Sequence, residues 1–332
     1  MAGTVKGGTL FNRVKINGYE PDGIAKAGDV FYRRIRTVGI TWKLWSTPPG
    51  HTDWSSLCWG NNQFVAVSRG GTLNRAATSP DGINWTIRTT PSPENQWNKV
   101  VYGNNIYVAV GNSPTAGVNQ IMTSPDGITW TLRTAFNIQW QYLGFGNGIF
   151  VAVGLSGNVM TSPDGINWTM RQSQNTNGWY GIGFGNGLFV AVAGSGSGTR
   201  VMTSPDGITW TIRSSAADYS WYRVAWGNNI FVAVGTTSSR TEVMTSPDGI
   251  TWTRRTVPSG NSIYNGLCFA SGIFMVVGGF GNRIRSMTST DGITWTNRST
   301  PADITWNDVD FGNGKFVAVG SGTENANAMT SP

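Results

Sequence analysis

One segment decides the fold: Met122-Thr123-Ser124-Pro125-Asp126-Gly127-Ile128-Thr129-Trp130-Thr131, which recurs nearly unchanged along the chain. We call each copy a box. The tryptophans of the six complete boxes are Trp85, Trp130, Trp168, Trp210, Trp252 and Trp295. They follow one another at intervals of 38 to 45 residues. A period of about 40 to 45 residues is typical of the four-stranded blade of a β-propeller.

A second repeated element lies between the boxes. It begins with an aromatic residue, reaches Gly-Asn-Gly or Gly-Asn-Asn in most copies, and ends in Phe-Val-Ala-Val-Gly or a close variant. Its seven copies begin at Trp54, Trp97, Trp140, Trp179, Trp221, Tyr264 and Trp306. Because Gly and Asn tolerate a positive φ, the Gly-Asn pair predicts a hairpin between the first two strands of each blade. The box then supplies the turn between the third strand and the outermost strand.

The two ends of the chain complete a seventh box. The chain stops at Met329-Thr330-Ser331-Pro332, which is the first half of a box, and Gly39-Ile40-Thr41-Trp42 is the second half of one. Joined in space, these halves close a ring and leave no open sheet edge. The sequence therefore predicts an all-β, seven-bladed β-propeller over residues 39–332. Its last blade takes three strands from the C-terminus and one strand from the N-terminal side.

Residues shared by every box are expected to serve the blade that carries them. The box aspartate should accept N–H bonds within its own turn, and the box tryptophan should fill the gap between blades. An arginine ends the outer strand after each complete box and is expected to face solvent or to pair locally. Trp45 stands in that place in the split copy.

Composition and charge exclude several classes of protein. Charged residues make up 12% of the chain, whereas about 25% is usual for a soluble domain. The net charge is +7, but residues 1–38 hold seven basic and three acidic residues, so the repeats are nearly neutral. A neutral repeat region argues against a nucleic-acid partner. No apolar run reaches the roughly 18 to 20 residues that span a bilayer, and the N-terminus lacks the apolar core of a signal peptide.

Residues 1–38 do not match the repeat and are predicted to be a basic docking arm. The segment is too short to form a core of its own, so we expect it to pack against something else. Its candidate docking residues are Lys6, Arg13, Lys15, Arg33, Arg34 and Arg36. A partner subunit is the preferred surface. The alternative is a hairpin lid on the propeller itself.

We expect a binding function at the positions where the seven blade repeats differ from one another. The loops between blades, and those between the second and third strands, vary in length and should emerge on one face. The aromatic residues that open the inner strands lie beside that face, around the channel. Aromatic rings of this kind can stack on sugars or side chains. They are therefore candidate ligand contacts, with packing of the channel mouth as the alternative: Trp54, Trp97, Trp140, Trp179, Trp221, Tyr264 and Trp306.

Little in the sequence favours catalysis. His51 is the single histidine, which argues against a Ser-His-Asp triad or a histidine metal site. No catalytic residue, metal ligand or cofactor is assigned, and the chain is predicted not to be an enzyme. Cys58 and Cys268 occupy equivalent positions in blades one and six, too far apart for a disulfide, and are predicted to be buried free thiols.

The box resembles the Asp-box repeat of sialidases and related β-propellers, Ser-x-Asp-x-Gly-x-x-Trp, with one residue fewer before the glycine. Together with Phe-Gly-Asn-Gly-x-Phe-Val-Ala-Val-Gly, it looks like the propeller repeats of tailed-phage and bacterial proteins. The resemblance covers residues 39–332. It implies a propeller fold but is weak for function, because propellers host many activities.

From the phage resemblance we expect a non-enzymatic virion protein, made in the host cytoplasm. Residues 1–38 would dock on other virion proteins in an oligomeric assembly. The propeller would then present its variable loops for attachment to a host glycan or receptor, or as a decoration of the particle. The first alternative is a bacterial lectin-like or protein-binding propeller. The second is a sialidase-like glycoside hydrolase, for which arginines in the variable loops would have to converge.

Overall fold

A computed structural model gives the structure of this protein. It describes residues 41–47, 53–71, 74–91, 95–112, 120–134, 136, 138–237, 240–259, 263–279, 284–322 and 326–331. Within these ranges, 28 strands form seven four-stranded antiparallel sheets. A single 3-10 turn, Leu155–Gly157, is the helical element among them. The predicted all-β, seven-bladed β-propeller is confirmed.

The first four blades follow the predicted strand order. Blade 1 comprises β2 (Trp54–Gly60), β3 (Gln63–Ser68), β4 (Ala76–Ser79) and β5 (Thr86–Arg88). Blade 2 comprises β6 (Gln96–Gly103), β7 (Ile106–Asn112), β8 (Ile121–Ser124) and β9 (Thr131–Arg133). Blade 3 comprises β10 (Trp140–Gly146), β11 (Ile149–Gly154), β12 (Asn158–Ser162) and β13 (Thr169–Gln172). Blade 4 comprises β14 (Trp179–Gly185), β15 (Leu188–Ala193), β16 (Val201–Ser204) and β17 (Thr211–Arg213).

The remaining blades complete the ring. Blade 5 comprises β18 (Ser220–Gly227), β19 (Ile230–Thr236), β20 (Thr241–Ser246) and β21 (Thr253–Arg255). Blade 6 comprises β22 (Ile263–Ala270), β23 (Ile273–Gly279), β24 (Ile284–Ser289) and β25 (Thr296–Ser299). Blade 7 comprises β26 (Thr305–Gly312), β27 (Lys315–Ser321), β28 (Ala328–Ser331) and β1 (Lys43–Trp45).

Blade 7 is closed by strands from both ends of the chain. β1 pairs antiparallel with β28, with Lys43 opposite Thr330 and Trp45 opposite Ala328. The indole N–H of Trp42 donates to Ser286 Oγ of blade 6 at 3.0 Å, which ties the N-terminal strand to its neighbouring blade as well. The predicted clasp of one strand with three is therefore present.

Each complete box forms a turn that its own aspartate holds. In blade 1, Asp81 Oδ1 accepts the backbone N–H groups of Ile83 and Asn84, each at 2.8 Å. Burial would raise the pKa of Asp81, but the N–H groups of Asn84 and Ile83 outweigh it and lower this pKa to about 2. The indole N–H of Trp85 donates to Gly82 O of the same box at 3.2 Å. These contacts confirm that the repeated box residues stabilise their own blade.

The arginine after each complete box bonds to a threonine on the neighbouring strand. Arg88 Nε donates to Thr78 Oγ1 at 3.0 Å, and the other five boxes repeat this contact. In blade 7, Trp45 Nε1 donates to the equivalent Thr330 Oγ1 at 2.8 Å. The replacement of arginine by tryptophan therefore keeps the hydrogen bond across the clasp.

Glycines at the ends of the inner strands let neighbouring blades interlock. A Cβ atom built on Gly103 would lie 2.5 Å from the ring of Phe145 in the next blade, closer than any side chain tolerates. Gly60, Gly146, Gly185, Gly227 and Gly312 meet an aromatic ring of the following blade in the same way. Because glycine has no side chain at this position, an aromatic ring of the following blade can pack directly against the backbone at each of these junctions.

The turns and the loops lie on opposite faces of the ring. Asn104 Nδ2, in the Gly-Asn turn of blade 2, donates to Gly148 O at 2.8 Å and to Pro163 O at 2.7 Å, which belong to the two turns of blade 3. The Gly-Asn turns and the boxes therefore share one face, which we call the box face. Strand alternation places the variable loops on the other, the variable face. Among the described residues, no helix is long and apolar enough to cross a membrane.

Candidate functional site

Six of the seven aromatic residues that open the inner strands lie in the core. Trp54 is 1% exposed, and Trp97, Trp140, Trp179, Trp221 and Trp306 are each 0% exposed. The side chain of Tyr264 lies outside the described part of the structure. Burial of these six indoles leaves no ring surface for a ligand and favours the packing alternative. The candidate docking residues Lys6, Arg13, Lys15, Arg33, Arg34 and Arg36 lie outside the described residues, and so does His51.

A different position of the inner strands carries charge. The second residue after each opening aromatic forms what we call the channel ring: Ser56, Lys99, Tyr142, Gly181, Arg223, Gly266 and Asp308. Side chains of this ring contact one another across blades 7, 1, 2, 3 and 5. Contacts between blades that are not neighbours are possible only at the axis of the propeller. The ring therefore closes the central channel near the variable face.

Lys99 and Asp308 form a buried ion pair in the channel ring. Lys99 Nζ donates to Asp308 Oδ2 at 2.6 Å, and the two side chains are 11% and 3% exposed. Asp308 Oδ2 also accepts hydrogen bonds from the hydroxyl group of Ser56 at 2.7 Å and from the backbone N–H of Leu57 at 3.2 Å. Burial lowers the pKa of Lys99, but the Asp308 carboxylate more than offsets it, so this pKa lies above its usual value. Lys99 thus stays charged.

Tyr142 lies between two cations. Lys99 Nζ is 4.9 Å and Arg223 Cζ is 4.5 Å from the centre of its ring. Arg223 reaches Tyr142 from blade 5 by crossing blade 4, where its Nη1 donates to Tyr180 O at 3.0 Å. A side chain at Gly181 would place its Cβ 3.0 Å from Arg223 Cα, so glycine allows the two strands to approach. This arrangement fixes the guanidinium in the channel mouth.

Half-buried tyrosines and arginines surround the mouth of the channel. The rings of Tyr180 and Tyr222 meet edge to face with centres 5.6 Å apart. From blade 1, Arg69 Nε donates to Asn98 Oδ1 at 2.9 Å. We call Arg69, Tyr180, Tyr222 and Arg223 the mouth platform, and each of them is partly exposed. Tyrosine and arginine are the residue types enriched in the energetic centres of protein interfaces.

A cavity of about 260 Å³ lies in the channel and is lined by Lys99, Cys58, Cys268 and Asp310. Both cysteines are free thiols, and Cys58 is buried as predicted, whereas Cys268 is partly exposed. Burial raises the pKa of both thiols. Burial also raises the pKa of Asp310 to about 6, although its carboxylate accepts the N–H groups of Trp59 and Phe311, each at 2.8 Å.

The raised pKa of Asp310 gives a pH-dependent prediction. The folded-state pKa of about 6 lies above the ordinary value of 3.8, so stability is lost as the pH rises from about 4 to about 6. The loss should reach about 3 kcal/mol by pH 7. The variant Asp310→Ala should not lose stability over this pH range. Alanine is the residue at the equivalent position of blade 5, Ala225. Urea denaturation at several pH values measures the difference between wild type and variant. A difference that does not change with pH would contradict the prediction.

The sequence analysis did not predict the charged residues of the channel, because it expected functional variation in the loops. Lys99, Asp308 and Asp310 lie inside the inner strands, among residues that otherwise repeat. An alignment of the seven copies shows the signal, because the second and fourth positions after the opening aromatic hold unlike residues. In the described part of the chain, no group of three or more His, Cys, Asp or Glu side chains is placed to hold a metal ion.

Comparison with known proteins supports the fold. No family model matches the chain, and no curated protein matches its sequence. Among solved structures, YCF48 bound to D1 peptide is similar with a TM-score of 0.64 and 15% identity, over 87% of this chain and 94% of that one. The WD40 propeller of Doa1 is similar with a TM-score of 0.65 and 16% identity, over 88% and 97%.

An enzyme is also among the similar structures. Virginiamycin B lyase from Staphylococcus aureus matches with a TM-score of 0.73 and 8% identity, over 88% of this chain and 98% of that one. The prediction that this chain is not an enzyme is therefore wrong. It was based on the repeats and the single histidine, and these do not exclude an enzyme. This fold includes enzymes, and the fold alone does not settle whether this chain is one. The comparisons do not support the expected virion role or a carbohydrate ligand.

Proposed function

We propose that this protein is a protein-binding propeller that holds a segment of a partner at the mouth platform. The observation that carries the proposal is the convergence of Arg69, Tyr180, Tyr222 and Arg223 around the channel on the variable face. Their rings and guanidinium groups combine apolar area with hydrogen-bond donors, which is the composition of interface centres.

The setting of the platform suits a binding surface. Arg223 is held by the carbonyls of Tyr180 and Tyr222, at 3.0 and 2.8 Å, and Tyr180 packs against Gly194. Side chains fixed in this way lose little conformational entropy on binding. The loops that surround the platform differ from blade to blade, so they can adjust specificity without disturbing the repeated framework.

Two of the similar structures bear on this proposal, one of them with a bound peptide. YCF48 was solved with a D1 peptide, and the Doa1 domain is a WD40 propeller. At 15% and 16% identity, these likenesses support a propeller that can bind a partner and do not identify that partner. They favour the protein-binding alternative over attachment to a virion.

Selection from a displayed library of random short peptides tests the proposal. Peptides enriched on the wild-type protein should bind the double variant Tyr180→Ala/Tyr222→Ala at least about tenfold more weakly, because the platform loses both rings. Ile208→Ala is the matched control, since Ile208 is exposed on the box face. It should bind as the wild type does. Failure to enrich any peptide, or equal binding by the double variant, would overturn the proposed function.

A further inference from the structure

The cavity in the central channel is a separate site from the mouth platform. Its lining residues stand at the second to fifth positions after the opening aromatic in blades 1, 2, 3, 6 and 7. Because the inner strands run from the variable face to the hairpin turns of the box face, the cavity lies between the channel ring and the box face. The channel ring closes the other end, so a ligand would enter from the box face.

Asp310 is a carboxylate on the cavity wall that has no ion pair with any described residue. Lys99 of the same cavity is neutralised by Asp308, whose Oδ2 lies 2.6 Å from its Nζ. Each oxygen of Asp310 accepts one backbone N–H, from Trp59 and from Phe311. A carboxylate has about four lone pairs, so the partly exposed Asp310 can still accept hydrogen bonds from a ligand.

The charge of the cavity favours a cation. Burial raises the pKa of both thiols, so Cys58 and Cys268 are uncharged at neutral pH. Lys99 and Asp308 cancel each other, and the ionised carboxylate of Asp310 is then left without a counter-charge. A partly desolvated carboxylate in this position is costly, and a bound cation would offset that cost.

The other walls favour a small organic cation over a metal ion. In the part of the chain that the structure describes, no three side chains of the types His, Cys, Asp or Glu are placed to hold a metal ion. Trp59, Tyr102 and Phe145 add partly exposed aromatic side chains to the wall, which suit an alkyl group. The volume of about 260 Å³ is below the roughly 300 to 1,000 Å³ of usual ligand pockets, so the ligand should be small.

We propose that the channel cavity binds a small primary alkylammonium ion, whose ammonium group donates to Asp310 and whose alkyl part packs against Trp59, Tyr102 and Phe145. A primary ammonium supplies both the positive charge and the hydrogen-bond donors that the Asp310 carboxylate can use. Binding in the channel needs no peptide at the mouth platform, so this site and its ligand lie beyond the proposed function.

Ionisation of Asp310 gives the binding a pH dependence. The pKa of Asp310 is about 6, whereas a primary ammonium resembles lysine and stays charged. Affinity should therefore fall about tenfold between pH 7 and pH 5, as the carboxylate becomes protonated. The raised pKa values of Lys99 and of both thiols keep their charges constant over this range. The titratable groups that face the cavity or Asp310 are Lys99, Asp308, Cys58, Cys268 and Tyr102.

Calorimetric titration with n-butylammonium chloride tests the site. Asp310→Asn and Asp310→Ala should each bind this probe at least about tenfold more weakly than the wild type at pH 7, because the charged acceptor is lost. Asp218→Asn is the matched control, since Asp218 is a carboxylate outside the channel whose side chain is 46% exposed. It should bind the probe as the wild type does.

Alkylation of the thiols locates the bound probe. The chain has two cysteines, Cys58 and Cys268, and both line the cavity. Saturation with n-butylammonium should slow the reaction of Cys268 with iodoacetamide at least about fivefold in the wild type, because the probe covers the thiol. The same concentration should have little effect on this rate in Asp310→Asn.

Tetramethylammonium and potassium ions test the need for a hydrogen-bond donor. Neither can donate to Asp310, so both should bind more weakly than n-butylammonium. If either binds as tightly, the cavity accepts any cation and the specificity for a primary ammonium is overturned. The site itself is overturned if n-butylammonium does not bind, if both Asp310 variants bind it as the wild type does, or if its affinity is the same at pH 5 and pH 7.

Discussion

Deletion of residues 1–46 is expected to prevent stable closure of the propeller, whereas deletion of residues 1–36 is expected to leave it folded. The longer deletion removes β1, so the buried strand Ala328–Ser331 becomes an open edge. It also removes Trp42 and Leu44, which pack against the core of blade 7. Loss of these contacts should cost about 5 kcal/mol, on the scale of roughly 1.5 to 3 kcal/mol for each large apolar side chain.

Thermal unfolding and size-exclusion chromatography measure both deletions. We expect the longer deletion to lower Tm strongly and to form aggregates, because an exposed edge strand pairs with other chains. The shorter deletion retains every strand of blade 7, which lies within residues 43–331. If the two deletions unfold at the same temperature, the clasp contributes little to stability and β1 is not needed to close the propeller.

Asp308→Asn is expected to destabilise the propeller by about 3 to 5 kcal/mol, which corresponds to a fall in Tm of roughly 10 °C. The substitution keeps the size of the side chain but removes the carboxylate that lies 2.6 Å from the Lys99 ammonium, and the Asp310 carboxylate that remains in the channel acts on this ammonium more weakly. Lys99 is only 9% exposed, so water cannot replace the lost carboxylate. The Asn side chain can still accept a hydrogen bond from Ser56 or Leu57, so loss of charge is the main change.

A second substitution distinguishes lost charge from lost packing. Lys99→Met added to Asp308→Asn should recover most of the stability, because replacement of both members of a buried pair by uncharged residues is often neutral. Arg240→Gln is the control, since the side chain of Arg240 is 60% exposed and its partner Glu242 keeps the ion pair with Arg254 at 2.8 Å. It should cost less than about 1 kcal/mol. If the double variant is as unstable as Asp308→Asn, the unpaired ammonium is not the cause.

The fold could be predicted from the sequence because its determinants are local and repeated. The box fixes one turn, Gly-Asn fixes another, and the complementary ends at Met329 and Trp42 fix the number of blades. Even the role of each box residue followed from its position in a turn. Where a copy departs from the repeat, as at Trp45, only the structure shows that the same threonine receives the hydrogen bond.

The candidate site could not be predicted because it depends on the closed ring. Lys99 and Asp308 are 209 residues apart and meet only when blade 7 comes beside blade 1. The opening tryptophans were the more conspicuous residues, yet each described one is turned into the core. An inward or outward orientation depends on the irregularity that follows the opening aromatic, for example between Trp97 and Lys99. Aromatic composition does not reveal that irregularity.

The clasp of β1 with β28 has a consequence for how the chain could be cut. The box turn that joins the third and outermost strands in the other six blades is interrupted in blade 7, between β28 and β1, and blade 7 still forms a complete sheet. Continuity of the backbone at that turn is therefore dispensable for the sheet. A circular permutant can therefore be designed in which β28 is linked to β1 and the new termini lie in the box turn of another blade. We expect this permutant to fold into the same seven-bladed ring.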